Sequence, residues 1–223
     1  MATGKTVPRT GRETDTTSEN GRTQELRTEV QEFKRSRILE EARELFFAQG
    51  YESTTLDSIA ESLDVTKPFL YSYFRNKSEI LNAICEIGIT ESIAAQAEVL
   101  AMELAPSEKL RLIVERVTSI VIRDQKYVVV YNREEKNLEQ AEQKHLMELR
   151  KLFDQRLAKL LEEGNASGDF AVDQPRMLAV SISGMLTWAA TWFRPRTAYT
   201  VTDVVMHMIQ TVERMVGSKS RAR

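Results

Sequence analysis

An all-α fold of about nine helices is what this sequence predicts, on three observations. Apolar side chains recur at three- and four-residue spacing, as in Leu110, Ile113, Val114, Val117, Ile120 and Val121. Helix punctuation brackets those runs: Thr55 and Thr66 before short segments, Gly50 and Gly164 after long ones, and Pro106 and Pro175 where new ones open. The β-branched and aromatic stretch 127–131 has no second strand to pair with, so it reads as helix.

Residues 1–28 hold almost no large apolar side chains, which predicts a disordered arm. Its cations Lys5, Arg9, Arg12, Arg22 and Arg27 fit either a solvated tail or an arm that reaches a minor groove. A first helix follows over 29–49, with Ile38, Leu39, Ala42, Leu45 and Phe46 on one face and Gly50 as its stop. Thr55 caps a short helix over 56–63, Asp64-Val65 makes a turn, and Thr66 heads a shorter helix to about Phe74. A fourth helix starts at Ser78-Glu79 and runs toward Ala101. Beyond Pro106 come the 110–121 stripe and the 127–131 helix. A long amphipathic helix then ends at Gly164, and 165–173 is a loop. Pro175 opens an apolar helix that stops before Pro195, and a last helix spans about 201–216. The reading therefore divides the chain into an arm (1–28), a helix-turn-helix unit (29–77), a helical body (78–217) and a basic tail (218–223).

Composition narrows the chemistry. One cysteine, Cys85, excludes an internal disulfide and a cysteine-based zinc site, and His145 and His207 are too few for a histidine cluster. No Gly-x-Ser-x-Gly elbow is present, and the many carboxylates lie on helix faces where solvation accounts for them, so no enzyme, metal or cofactor is expected. The longest apolar-rich run, 177–193, is broken by Ser and Thr and is short for a bilayer span, and the N-terminus lacks a signal-peptide core. The expectation is a cytoplasmic protein without a membrane partner. A net charge of −2 does not advertise nucleic-acid binding, but a few well-placed cations suffice for a small module.

The short helices over 56–74 form that module. In a helix-turn-helix the second helix enters the major groove and the first crosses the backbone. Thr66 stands at the start of the reading helix, where free N–H groups favour phosphate. Thr55, Tyr71 and Tyr73 offer hydroxyls, and Lys67 and Lys77 offer cations. Leu70 and Phe74 are expected to face the core. Lys67, Pro68, Phe69 and Ser72 are left to read bases, with Pro68 and Phe69 either touching thymine methyls or, for Phe69, packing on the protein.

The residues Gly50-Tyr51, Thr54-Thr55-Leu56, Ile59-Ala60, Val65-Thr66-Lys67, Leu70-Tyr71, Tyr73-Phe74 and Lys77-Ser78-Glu79 together resemble the N-terminal signature of the TetR family of transcriptional regulators. The resemblance runs from about Ile38 to Leu81. It implies a three-helix DNA-binding domain, a helical ligand-binding body and a homodimer that acts as a repressor on double-stranded operator DNA. Pro68 and Phe69 depart from it, because family members usually carry small residues there.

In the body, Tyr131-Asn132-Arg133-Glu134, Leu149-Arg150-Lys151-Leu152-Phe153, Gly168-Asp169-Phe170 and the run from Trp188 to Pro195 resemble TetR regulators that sense acyl-CoA thioesters of lipid, steroid or aromatic catabolism. Such a ligand needs an apolar tunnel and cations for its phosphates. Met102, Val117, Ile120, Val121 and Tyr127 are the expected lining, with Tyr131, Phe153, Met185, Trp188 and Trp192. Arg133, Arg150 and Arg194 are the expected cations, although Arg133 with Glu134 also fits a structural ion pair. A regulator of efflux that binds hydrophobic drugs is the alternative. Small residues Ser183, Gly184 and Ala190 and the stripe Val201, Val205, Met208, Ile209 and Val212 are expected to build the dimer, as a four-helix bundle that sets two reading helices about 34–36 Å apart. Effector binding would then release a palindromic operator through the fourth helix.

Overall fold

The structure is a computed structural model that describes residues 16–194 and 198–217. Among these residues nine α-helices follow one another: α1 (Thr16–Gln49), α2 (Leu56–Ser62), α3 (Lys67–Tyr71), α4 (Lys77–Leu100), α5 (Pro106–Arg123), α6 (Gln125–Glu134), α7 (Gln140–Ser167), α8 (Pro175–Trp192) and α9 (Val201–Met215). A single 3-10 turn, Glu135–Asn137, separates α6 from α7. The all-α expectation holds, and 127–131 lies within α6.

Two cores organise the chain. The first joins Ile38, Leu39, Ala42 and Phe46 of α1 to Ile59, Leu70 and Phe74, and continues into α4 through Ile80, Leu81 and Ile84. Tyr127, Val130 and Tyr131 of α6 belong to this same cluster, so the helix-turn-helix unit shares its interior with the body. The second core fills the body, where the stripe Val204, Val205, Met208, Ile209 and Val212 of α9 packs on α5.

Local chemistry explains most helix ends. Gly50 (φ +84°) closes α1 in the left-handed region, its N–H donating to the Phe46 carbonyl at 3.0 Å. Thr55 caps α2 in a reciprocal capping box with Ser58. Asp64 takes φ 53° in the turn, a conformation Asp tolerates because its short polar side chain can bond locally.

Two boundaries differ from the sequence reading. The first helix begins at Thr16 rather than near residue 29, so the second half of the expected arm is helical. Once Ile38 to Phe46 anchor the C-terminal half, each preceding residue adds one hydrogen bond to an existing helix, and Glu, Arg and Gln are good helix formers. Residues 1–15 and the basic tail 218–223 lie outside the described residues. At the other boundary, α7 runs through Gly164 to Ser167 and is capped by Gly168 (φ 78°). Gly164 instead makes room for an aromatic ring: a Cβ there would stand 1.9 Å from Phe170 Cδ2.

Candidate DNA-binding face and effector cavity

The helix-turn-helix presents the expected polar tip to solvent. Thr55, Thr66, Lys67, Pro68, Tyr71 and Ser72 are exposed, while Leu70 and Phe74 are buried. Thr66 occupies the N-cap position of α3 without a capping bond from its side chain, which leaves its hydroxyl available. Lys67 pairs with Asp57 at 2.7 Å, and this hydrogen-bonded carboxylate raises its pKa. Both side chains are more than half exposed, so a phosphate could take the place of Asp57 at little cost. The Ser72 hydroxyl donates to the Phe69 carbonyl at 2.6 Å. Phe69 and Tyr73 are half-buried and pack on each other at 5.2 Å between ring centroids, so Phe69 packs on the protein with part of its surface still accessible.

Lys77 is placed elsewhere than its expected phosphate site. Its Nζ donates to the Tyr51 carbonyl at 2.7 Å and the Thr54 carbonyl at 2.8 Å, and stands 4.1 Å from the Tyr51 ring centroid. These are carbonyls of the α1–α2 loop with no helical partner, so the ammonium ties that loop to the first turn of α4.

Between α4, α5, α6, α7 and α8 lies a cavity of about 650 Å³. Seven expected residues line it: Val117, Val121, Tyr127, Tyr131, Arg150, Phe153 and Trp188. Six do not. Met102 and Met185 pack against the body core, and Ile120 is buried off the cavity wall. Trp192 sits edge-on to Phe193, and Arg194 donates to the Phe193 carbonyl at 2.8 Å. Arg133 points away, toward α1, and donates to the Phe47 carbonyl at 3.0 Å. Neither does Arg133 pair with Glu134: the buried Glu134 carboxylate accepts from the Tyr51 N–H at 3.3 Å and from Asn137 at 2.8 Å.

The cavity wall mixes apolar with polar side chains, and its charged groups are Arg150 and Asp154. Arg150 stacks on the Tyr131 ring at 4.1 Å, and the Tyr131 hydroxyl donates to Glu135. Burial, then this bond to a carboxylate, raise the Tyr131 pKa and keep it a phenol. Asp154 accepts from the Ser183 hydroxyl at 2.6 Å. Burial pushes the Cys85 thiol up to about 12, so this wall residue behaves as an apolar neighbour rather than a nucleophile.

The dimer expectation needs re-drawing. Ala190, Val205, Met208, Ile209 and Val212 are buried within one chain, which leaves little of them for a partner to touch. Ser183 and Gly184 line the cavity. An amphipathic helix gives its strongest stripe to its own core, and of the expected set Gly184 and Val201 are exposed. The exposed large apolar side chains of these two helices are Met177, Val180, Trp188 and Trp192 of α8 with Val201, Met206 and Met215 of α9.

Two family models match this chain, one over the helix-turn-helix unit and one over most of the body. Residues 103–216 match the model described as "Tetracyclin repressor-like, C-terminal domain", and residues 38–84 match "Bacterial regulatory proteins, tetR family". The chain belongs to the TetR family of transcriptional regulators. It is 26% identical to the HTH-type transcriptional repressor KstR2 of Rhodococcus jostii over 181 residues, 80% of this chain and 89% of that one. KstR2 of Mycolicibacterium smegmatis is 24% identical over 164 residues, 73% of this chain and 80% of the other. Two solved structures share the fold: the TetR regulator PfmR from Thermus thermophilus (TM-score 0.73, 26% identity, 82% of this chain and 99% of that one) and AibR in complex with isovaleryl coenzyme A and operator DNA (0.70, 25%, 82% and 98%).

Several residues of this TetR chain escaped sequence reasoning. Asp154 follows Arg150 by one helical turn, and Ser183, Thr187 and Thr191 recur at four-residue spacing on α8; both signals were readable. The joint between the two units was not. Lys126 of α6 pairs with Glu44 of α1 and Arg43 stands 4.5 Å above the Tyr127 ring, while within the body Gln125 donates to the Ala190 and Phe193 carbonyls at 2.5 and 2.7 Å. Among the described residues no helix is long and apolar enough to cross a membrane, and no group of three or more His, Cys, Asp or Glu is placed to hold a metal.

Proposed function

We propose that this chain is a dimeric repressor that leaves a palindromic operator when an acyl-CoA thioester enters the cavity. The observation that carries the reading is the double role of α6. One face of α6 supplies Tyr127, Val128, Tyr131 and Asn132 to the cavity wall, and the other grips α1 through Lys126 and Arg133 and the α1–α2 loop through Glu134. A ligand that displaces α6 therefore pulls on the helix-turn-helix unit as well as on α4. The coupling is reciprocal, so DNA weakens effector binding by the factor that effector weakens DNA binding.

Thr55, Thr66, Lys67, Tyr71 and Tyr73 would hold phosphates, and Pro68 with Ser72 would meet base edges. A second copy would cover the exposed apolar side chains Trp192 of α8 with Val201 and Met206 of α9, leaving Arg176 and Val180 at the other end of α8 open, and place the two reading helices about one DNA turn apart. The acyl-CoA effector is supported by the apolar lining beside one cation, Arg150, and by the likeness to AibR.

The test pairs the wild type with Gly88→Leu. Gly88 lines the cavity, and a Cβ there would meet only Val128 Cγ2, at 3.9 Å, so the larger side chain grows into the void. With a duplex obtained by binding-site selection, acyl-CoA should release the wild type and leave Gly88→Leu bound at equal DNA affinity. Release that survives with the cavity filled overturns the reading. A second reading, a hydrophobic cationic compound, is favoured by Asp154 on the cavity wall; displacement by cationic dyes but not by thioesters would select it.

A further inference from the structure

We propose that the phosphates of the effector lie in a basic trough between α7 and α8 that continues from the cavity; this rests on the thioester reading and assigns its headgroup a site. The cavity interior is poorly made for a polyphosphate, because it offers one cation, Arg150, beside a carboxylate, Asp154. The trough adds Lys151, Lys159 and Arg176 to Arg150. Cavity and trough share Arg150, Asp154 and Val180 as wall residues, so one molecule can run from the apolar interior to the cationic exterior.

The charge balance favours an anion. Four cations and two carboxylates, Asp154 and Glu162, line the trough. Asp154 is engaged by the Ser183 hydroxyl at 2.6 Å. Lys151 and Lys159 hold only loose, exposed pairs along their own helix, with Glu148 at 3.6 Å and Glu163 at 3.9 Å, which a phosphate displaces readily. Arg176 has no ion pair among the described residues. Lys151 and Lys159 are two turns apart on α7, about 12 Å, and Arg176 joins them from the first turn of α8. A headgroup phosphorylated at more than one point, such as a nucleoside diphosphate with a further phosphate on its ribose, can meet all three.

The measurement is calorimetric binding of octanoyl-coenzyme A against octanoyl-pantetheine, which shares the thioester and lacks the phosphates, to the full chain. The expected advantage of the coenzyme A form is about tenfold at low ionic strength, the size that two or three exposed charge pairs supply together. It should shrink as salt rises. Lys159→Glu combined with Arg176→Glu should abolish the advantage while octanoyl-pantetheine binds as before, which also shows that the variant is folded. Equal affinity of the two thioesters for the wild type, or a tenfold advantage retained by the double variant, overturns the trough and leaves the thioester in the cavity. Binding of neither compound to the wild type refutes the thioester reading, and the trough with it.

Discussion

Replacing Lys77 by Met separates a structural lysine from a phosphate contact. Met keeps the length and apolar stem and removes the ammonium. The structure gives that ammonium two close carbonyl partners, Tyr51 at 2.7 Å and Thr54 at 2.8 Å, a longer third one at Glu52, and the face of the Tyr51 ring at 4.1 Å. A hydrogen bond from a charged donor contributes about 1.5–3 kcal/mol. Lys77 is half-buried, so water can replace part of each bond and the lower end applies. Two such bonds give about 3 kcal/mol, and the ring contact adds less than about 1 kcal/mol. At about 2–4 °C per kcal/mol for a chain of this size, the thermal midpoint should fall by about 6–12 °C.

The second half of the assay is operator affinity across a salt series at a temperature where the variant is fully folded. A lost phosphate contact lowers the slope of log K against log salt by about 0.9. The structural role predicts an unchanged slope with a lowered midpoint. An unchanged midpoint with a slope reduced by about 0.9 would refute the assignment of Lys77 to the loop.

Three further outcomes follow from named contacts. Gly164→Ala should cost about 3 kcal/mol in urea unfolding, because the new methyl would lie 1.9 Å from a ring carbon of the buried Phe170, and Phe170→Leu should restore part of the loss. Tyr71→Phe removes an exposed hydroxyl, so operator affinity should fall about fivefold on all sequences alike, roughly 1 kcal/mol, with the thermal midpoint unchanged; unchanged affinity would take Tyr71 off the interface. Burial raises the Glu44 pKa, but hydrogen bonds from Lys126 and Arg43 outweigh it and hold the carboxyl below 4.5. Its stabilisation is therefore complete above that value and is lost as pH falls through the lower folded-state value, so Glu44→Gln should flatten the acid limb of a stability-against-pH profile. A wild-type acid limb unchanged by the substitution would count against the Glu44–Lys126 link.

The fold was legible because its cues are local. Helical spacing, the Gly50 stop and the Thr55 cap act within a few residues, and the motif from Thr54 to Phe74 fixes α2, the turn and α3 together. Half of the expected cavity wall was legible for the same reason, since aromatic and β-branched residues on inward stripes face whatever void the body contains. Arg133 misled because its neighbours in sequence, Tyr131 and Asn132, do line the cavity while Arg133 sits on the opposite face of α6. The α9 stripe misled because periodicity announces an apolar face without naming the surface that covers it.

Taken alone, the order of residues determined the helices, the turn and the polar tip of α3, since each depends on contacts a few positions apart. Tertiary structure decided which partners those helices chose. Lys77 meets carbonyls 23 and 26 positions earlier, Glu134 meets Tyr51 across 83, and the cavity is the gap left among five helices. Such long-range pairings carry no periodic signature, because chain closure rather than local spacing brings their members together.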